Sequence, residues 1–195
     1  MRLVINIILA VVIIGLVWVL IQSIREPIAF KAERNKREQA VIAKLMEIRK
    51  AQELFRDIKG GFSPTFDSLK YVLTNDSFQI IQVFGDEDDP NYTGAITYDT
   101  FYFPAIKTID SLGINLDSMK FVPYGGGALF EMKADTLTYQ STLVNVVETG
   151  IQRKVFMGRF SSPTYAKYDK SYDPESIIKF GSLTAPNLSG NWEGR

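Results

Sequence analysis

The hydrophobic pattern of the chain begins with an apolar run over residues 3–21. Only Asn6, Gly15 and the indole nitrogen of Trp18 interrupt it, and no charged residue lies inside it. A helix built from this run is apolar on every face, which suits lipid or the interior of a large core. Its length matches the ~20 residues that cross a bilayer core of ~30 Å. We therefore predict a transmembrane signal anchor over residues 1–24.

A cleaved signal peptide is the alternative interpretation of this run. The basic region before it would be only Arg2 and the amino terminus, and the run exceeds the ~7–15 apolar residues usual in a signal peptide. Residues 21–27 also lack the small-x-small pattern of a cleavage site. These features favour a retained anchor.

The pattern changes over residues 29–58, where strong helix formers dominate and apolar residues recur with helical spacing. The apolar stripe consists of Val41, Leu45, Ile48 and Phe55, with Gln52 as a polar lapse. This spacing predicts an amphipathic stalk helix over residues 25–61, and the four apolar side chains are candidates for partner binding.

Both ends of this helix carry their own signals. Pro27 lacks an amide donor and disfavours helix at the residue before it, so we expect a kink or a short break there. Residues 31–39 are mostly charged, which predicts a solvated stalk next to the membrane. Gly60 and Gly61 suit the left-handed cap that ends many helices.

Residues 62–195 alternate short apolar stretches with turn residues, which predicts a small α/β head with a loop-like carboxyl-terminal tail. Ser63 or Thr65 is expected to cap a short helix over residues 64–73. About five to seven short strands follow, antiparallel because no helical stretch separates them. They are predicted at residues 78–84, 96–106, 119–124, 128–133, 137–140, 143–148 and 154–160, with a hairpin turn at Ala134-Asp135 and an edge strand or fold-back over 177–192.

The predicted fold class is therefore α+β. A transmembrane helix continues into a long stalk helix, which packs on a small, mostly antiparallel β-sheet head. Gly125, Gly126 and Gly127 are interpreted as a hinge or a tight connection between strands, because no helix start or Lys-Ser pair follows them as in a phosphate loop.

Composition narrows the possible chemistry. The 195 residues include 22 basic and 22 acidic side chains, so the net charge gives no reason to expect nucleic acid as a partner. The chain contains no cysteine and no histidine. Catalysis by Ser-His-Asp or Cys-His groups is excluded, as are zinc sites built on these residues. We expect neither an enzyme nor a cofactor.

Two further groups of residues are candidates for binding. The acidic run Asp86, Glu87, Asp88 and Asp89 offers oxygen ligands for calcium, but it lacks the alternating spacing and central glycine of an EF-hand loop, so a solvated turn is favoured. In the tail, Tyr165, Tyr168 and Tyr172 recur every three to four residues. They form either a partner-binding face or a contact that packs the tail onto the sheet.

One stretch resembles a known family. Residues 48–55 (IRKAQELF) are followed by Gly60-Gly61-Phe62 and by Phe66 and Leu69 in an F-x-x-L motif. This resembles the type IV pilins and type II secretion pseudopilins, over about the first third of the chain. The chain is also similar to single-span assembly-platform proteins of those systems. The resemblance implies a membrane helix, a stalk helix and a small α/β domain that meets partner proteins.

We therefore predict a non-enzymatic, single-span bacterial envelope protein that serves as a structural or assembly subunit of a secretion, pilus-like or motility machine. Its expected partners are the lipid bilayer and other envelope proteins, with self-association left open. The alternative is a membrane-tethered periplasmic module that binds lipid or lipopolysaccharide. In that case a groove would be lined by Phe101, Tyr102, Phe103, Phe121 and Phe130.

The orientation of the head is predicted from two opposing signals. Basic residues at Arg25, Lys31, Arg34, Lys36 and Arg37 follow the span, and the positive-inside rule then places the head in the cytoplasm. The short amino-terminal flank and the aromatic, strand-rich head are typical of envelope proteins. We favour an inner-membrane protein with a periplasmic head.

Overall fold

The computed structural model describes residues 1–85 and 95–194, and its longest element is the helix α1, Arg2–Lys59. Pro27 lies inside α1, and the helix is continuous through it, so the predicted break is absent. Long helical segments flank the proline on both sides, and Phe30 and Arg34 are buried just beyond it. These tertiary contacts offset the loss of one backbone hydrogen bond at the proline.

The amino-terminal part of α1 contains a segment that is long and apolar enough to cross a membrane. Its most apolar stretch has a mean hydropathy of 3.1 and is 0% buried against the rest of the chain. This matches the apolar run at residues 3–21 that the sequence assigns to a membrane span.

The connection from α1 to the next helix contains a glycine cap and a hydroxyl cap of the kinds predicted from the sequence. Gly60 adopts the left-handed conformation (φ +77°), and its N–H donates to the carbonyl of Arg56 at 2.7 Å. Helix α2, Phe66–Asn75, begins after Thr65, whose hydroxyl accepts a hydrogen bond from the Ser68 N–H at 3.2 Å. The glycine cap is confirmed, and of the two predicted caps, Ser63 and Thr65, the structure shows Thr65.

The described residues of the head form two separate antiparallel sheets. Strands β1, Ser77–Phe84, and β2, Thr97–Pro104, form a two-stranded hairpin. Strands β3, Glu131–Tyr139, β4, Thr142–Gln152, and β5, Ile177–Gly181, form a three-stranded sheet in the order β3-β4-β5. The predicted α+β fold, with a long helix and a small antiparallel head, is confirmed.

Short helical segments join these strands. Helix α3, Ala105–Ser111, follows β2, and helix α4, Arg153–Met157, follows β4. Two 3₁₀ turns, Gly158–Phe160 and Pro163–Lys167, continue from α4. The strand predicted at residues 154–160 is therefore wrong, because a short apolar run has no period that separates strand from helix.

Two connections between extended segments were predicted from the sequence, and the structure shows where each one lies. The β3–β4 turn lies at Gln140-Ser141, where φ is +49° and +65°, so the turn predicted at Ala134-Asp135 is wrong. Positive φ at both positions is typical of two-residue hairpin loops, which usually carry Asn-Gly or Asp-Gly and are hard to recognise without them. The glycines at 125–127 form a tight connection, with an isolated bridge between Phe121 and Leu129 on either side of it. The strand predicted at residues 119–124 is therefore wrong, because only this single bridge forms there.

The core lies between α1 and the rest of the head. Val41, Leu45 and Ile48 of α1 are fully buried, together with Leu69 of α2 and Phe180 of β5. The core extends toward the apolar amino-terminal segment of α1 as far as Phe30, which is also fully buried. The solvated stalk predicted over residues 31–39 is therefore wrong, because distant parts of the chain cover one face of this charged segment.

Candidate functional site

The β1–β2 hairpin is the most exposed apolar part of the head. Directly paired residues share a face of the ribbon, and the register pairs Phe78 with Phe103 and Ile80 with Phe101. One face therefore carries Phe78, Ile80, Phe84, Phe101 and Phe103. The opposite face carries Ile81, Val83, Tyr98 and Tyr102.

Both faces of the hairpin are open to solvent. All eight residues of β2 are exposed, and the same holds for β1 beyond its first two residues. Ile80 and Phe101 expose 51% and 52% of their surface. Asp99 is the single charged residue in the two strands. A lone two-stranded ribbon is marginally stable in water, and uncharged strand edges tend to pair with other strands.

The base of the hairpin is fixed to the distal end of α1. Asp76, which precedes β1, pairs with Lys59 at 2.7 Å, and its carbonyl accepts the Ala105 N–H at 3.0 Å. At ~1.5 Å per residue, Lys59 lies ~50 Å along the helix from Arg25. An eight-residue strand spans only ~27 Å. The described strands therefore cannot reach back to the apolar amino-terminal segment of α1.

The structure places the predicted apolar stripe inside the head. Val41, Leu45 and Ile48 are 0% exposed, and Phe55 is 7% exposed. Their side chains contact other parts of the same chain, so none of the four offers a surface to a partner in this structure. The burial of the stripe shows that it packs on the head, as predicted. Its predicted role in partner binding stays a prediction.

The tail tyrosines lie around Phe30 of α1. The Phe30 ring is stacked on Tyr165 at 5.5 Å between centroids and meets the edge of Tyr172 at 5.0 Å. The Tyr172 hydroxyl donates to the Phe160 carbonyl at 2.6 Å, and burial raises its pKa. The tyrosines thus fasten residues 158–176, here called the strap, to α1. A partner role for the half-buried Tyr165 and Tyr168 stays a prediction.

A network of ion pairs fastens the same region. Glu38 accepts hydrogen bonds from Arg34 Nε at 3.1 Å and from Arg153 Nε at 2.9 Å. Arg34 also pairs with Asp169 of the strap. The hydroxyl and backbone N–H of Ser171, and then the charge of Arg34, lower the pKa of Asp169. Opposite charges balance in this network, and sequence analysis missed it because its members lie far apart in the chain.

Gln52, the polar lapse in the apolar stripe, has a structural role. It is fully buried, its Nε2 donates to the Ser63 carbonyl at 2.8 Å, and its Oε1 accepts the Ser63 N–H at 2.9 Å. The side chain thus replaces the backbone partners that Ser63 lacks in the connection between α1 and α2.

We expect Gln52→Leu to lower the free energy of unfolding by about 2–4 kcal/mol, since both backbone groups of buried Ser63 lose their partners. Urea unfolding of the full chain in detergent measures this change. Gln39→Leu is the matched control, because Gln39 lies exposed on the same helix. Equal losses in the two variants would contradict the proposed role of Gln52.

The calcium candidates Asp86, Asp88 and Asp89, with Glu87, lie outside the described residues. Within residues 1–85 and 95–194, no group of three or more acidic side chains is placed to share a metal ion.

The resemblance to pilins and pseudopilins stays a prediction. The residues that carry it form the end of α1, the Gly60 cap and the first turn of α2. Comparisons with models of protein families, with curated proteins and with solved structures give no match.

Proposed function

We propose that the protein is a non-enzymatic, single-span assembly subunit whose head binds a partner protein through the β1–β2 hairpin. The observation that carries this proposal is the apolar surface exposed on both faces of the hairpin. Contiguous exposed apolar surface on a folded protein marks an interaction site. The process it serves, whether secretion, pilus-like assembly or motility, follows from the identity of that partner.

The chemistry of the hairpin defines the kind of partner. Neither outer strand edge of the two-stranded sheet pairs with another strand among the described residues, so a partner strand can add to either edge. Asp99 is the single charge, so the partner surface must be largely uncharged and apolar. The hairpin lies too far from the anchoring membrane for those lipids to cover it. An envelope protein with a free strand or an apolar groove fits these requirements.

We infer that the span lies in a bacterial inner membrane and that the head is periplasmic. The long apolar segment of α1 supports a membrane span, and the aromatic, strand-rich head is typical of an envelope protein. The head carries no cysteine, so it folds equally well in an oxidising or a reducing compartment.

The alternative of a lipid-carrying groove has less support. Helix α1 packs against the head core that would otherwise be free to receive a ligand. Of the aromatic residues predicted to line a groove, Phe130 is buried in this core. The others divide between the hairpin, with Phe101, Tyr102 and Phe103, and the bridge at Phe121.

A single cysteine introduced at Phe101 tests the proposal, because the chain has none of its own. We expect the Phe101→Cys variant, labelled with a photoactivatable maleimide, to crosslink one defined partner in intact cells. Tyr139→Cys is the matched control, since Tyr139 is similarly exposed on β3. Labelling of both sites by a membrane-impermeant maleimide after removal of the outer membrane would place the head in the periplasm.

The double variant Ile80→Ser/Phe101→Ser should then reduce co-elution of that partner at least tenfold. Its thermal unfolding should stay close to that of the parent protein, because substitutions at half-exposed positions usually cost less than ~1 kcal/mol. Equal crosslinking from both cysteine positions would contradict a specific hairpin interface. Labelling only after permeabilisation of the inner membrane would contradict the orientation.

A further inference from the structure

A cleft opens between α1 and the strap at the point where the chain leaves its apolar run. Arg25 and Glu26 line it from α1, while Arg159, Phe160 and Tyr165 line it from the strap. Its volume is about 230 Å³. The cleft is remote from the β1–β2 hairpin, so a ligand bound in it would be independent of a protein bound at the hairpin.

The cleft carries an excess of positive charge. No carboxylate of the described residues lies within ion-pair distance of Arg25 or Arg159, although other arginines of this region are paired. The Arg159 guanidinium lies over the Phe160 ring at 4.5 Å. Glu26 is the opposing charge, and its carboxylate accepts a hydrogen bond from the Tyr168 hydroxyl at 2.6 Å. Among the residues that line the cleft, two arginines without an ion-pair partner therefore face one partly engaged carboxylate. The charge of Glu33, which pairs with Arg37, also acts on Arg159 from outside the cleft.

The position of the cleft relative to a bilayer follows from the rise of the helix. The apolar run ends at Ile21, so Arg25 lies ~6 Å farther along α1. The polar layer on each side of a bilayer core is ~5–8 Å thick. With residues 3–21 in the bilayer core, the cleft lies at the level of the headgroups. Tyr165 and Tyr168 then lie where amphipathic aromatic rings are enriched.

We propose that this cleft binds the phosphate group of an anionic lipid headgroup. Arg25 and Arg159 each present a planar fork of N–H donors, the geometry that suits phosphate oxygens. The rings of Phe160 and Tyr165 offer apolar surface to the glycerol region next to the phosphate. A bound lipid would bridge α1 and the strap and so fix the tilt of the head on the membrane.

Native mass spectrometry of the full chain in mild detergent, titrated with phosphatidylglycerol or phosphatidylcholine, tests this proposal. We expect the protein to retain phosphatidylglycerol preferentially. Arg159→Gln should weaken phosphatidylglycerol binding about fivefold, and Arg25→Gln/Arg159→Gln about 25-fold, given the contribution of one basic residue near an anionic surface. Lys154→Gln removes the same charge from an exposed position on α4 that does not line the cleft, and should change binding less than about twofold.

Three results would overturn the proposal. Equal retention of the two lipids would show that the headgroup charge is not recognised, and equal losses in Lys154→Gln and Arg159→Gln would show a non-specific charge effect. Displacement of phosphatidylglycerol by inorganic phosphate would assign the cleft to a soluble phosphate. Should Arg159→Gln detach the strap, Arg25→Gln tests the cleft from the helix side, because Arg25 is exposed and its loss leaves the strap contacts intact.

Discussion

Replacing Glu38 with alanine is expected to lower the free energy of unfolding by about 3–5 kcal/mol, the cost of leaving buried charges without a partner. Glu38 is the carboxylate shared by Arg34 and Arg153, whose side chains are 9% and 4% exposed. Without Glu38, two guanidinium groups would remain in a site largely shielded from water. Asp169 still pairs with Arg34, but no carboxylate of the described residues then pairs with Arg153.

Glu47→Ala is the matched control for this experiment. Glu47 lies on the same helix and pairs with Lys44, but 37% of its side chain is exposed. Both substitutions introduce alanine into α1 and change its helix propensity by the same amount. An exposed pair contributes less than ~1 kcal/mol, so Glu47→Ala should change stability little. Urea unfolding of the full chain in detergent compares the two, and similar losses would contradict a structural role for the Glu38 network.

The Glu38 network could not be predicted from the sequence, because it joins residues that are far apart in the chain. Signals confined to a few neighbouring residues identified the end of α1 at Gly60 and Thr65 as one of two candidate caps of α2. The strands are antiparallel as predicted, although the expected lack of helices between them is wrong, since α3 and α4 lie between strands. Arg34 pairs instead with Asp169 and Glu38 with Arg153, and both of these partners are far away in the chain. A charged segment with distant partners has the same local pattern as a solvated stalk, so residues 31–39 were assigned to solvent.

The hairpin gives a second example, in which apolar residues that look buried from the sequence are exposed in the structure. Its β-branched and aromatic residues correctly predicted strands near residues 78–84 and 96–106. A strand with apolar residues on both faces is normally buried on both faces, yet here neither face is covered within the described chain. The hydrophobic pattern of a strand does not show whether its faces are packed against the same chain or against another molecule. The hairpin was therefore predicted as part of the sheet and not as a separate surface.

Phe30→Ala should release the strap from α1 and cost about 3–5 kcal/mol, the range for removing a buried phenylalanine side chain. Phe30 is fully buried, and its ring contacts those of Phe160, Tyr165, Tyr168 and Tyr172. Alanine would leave a cavity at the centre of this aromatic cluster. Because the strap packs on α1 mainly here and at the Glu38 network, it is the segment that should detach first.

Limited trypsin digestion of the full chain in detergent measures this release directly. The strap contains Arg159, Lys167 and Lys170, and cleavage at these residues should be faster in Phe30→Ala than in the parent protein. Tyr71→Ala is the control, since it removes an exposed aromatic ring from α2. Protection of the strap equal to that of the parent would show that the ion network holds it without Phe30. Faster cleavage throughout the head would show that strap and core unfold as one unit, because the same buried cluster runs from Phe30 to Phe180.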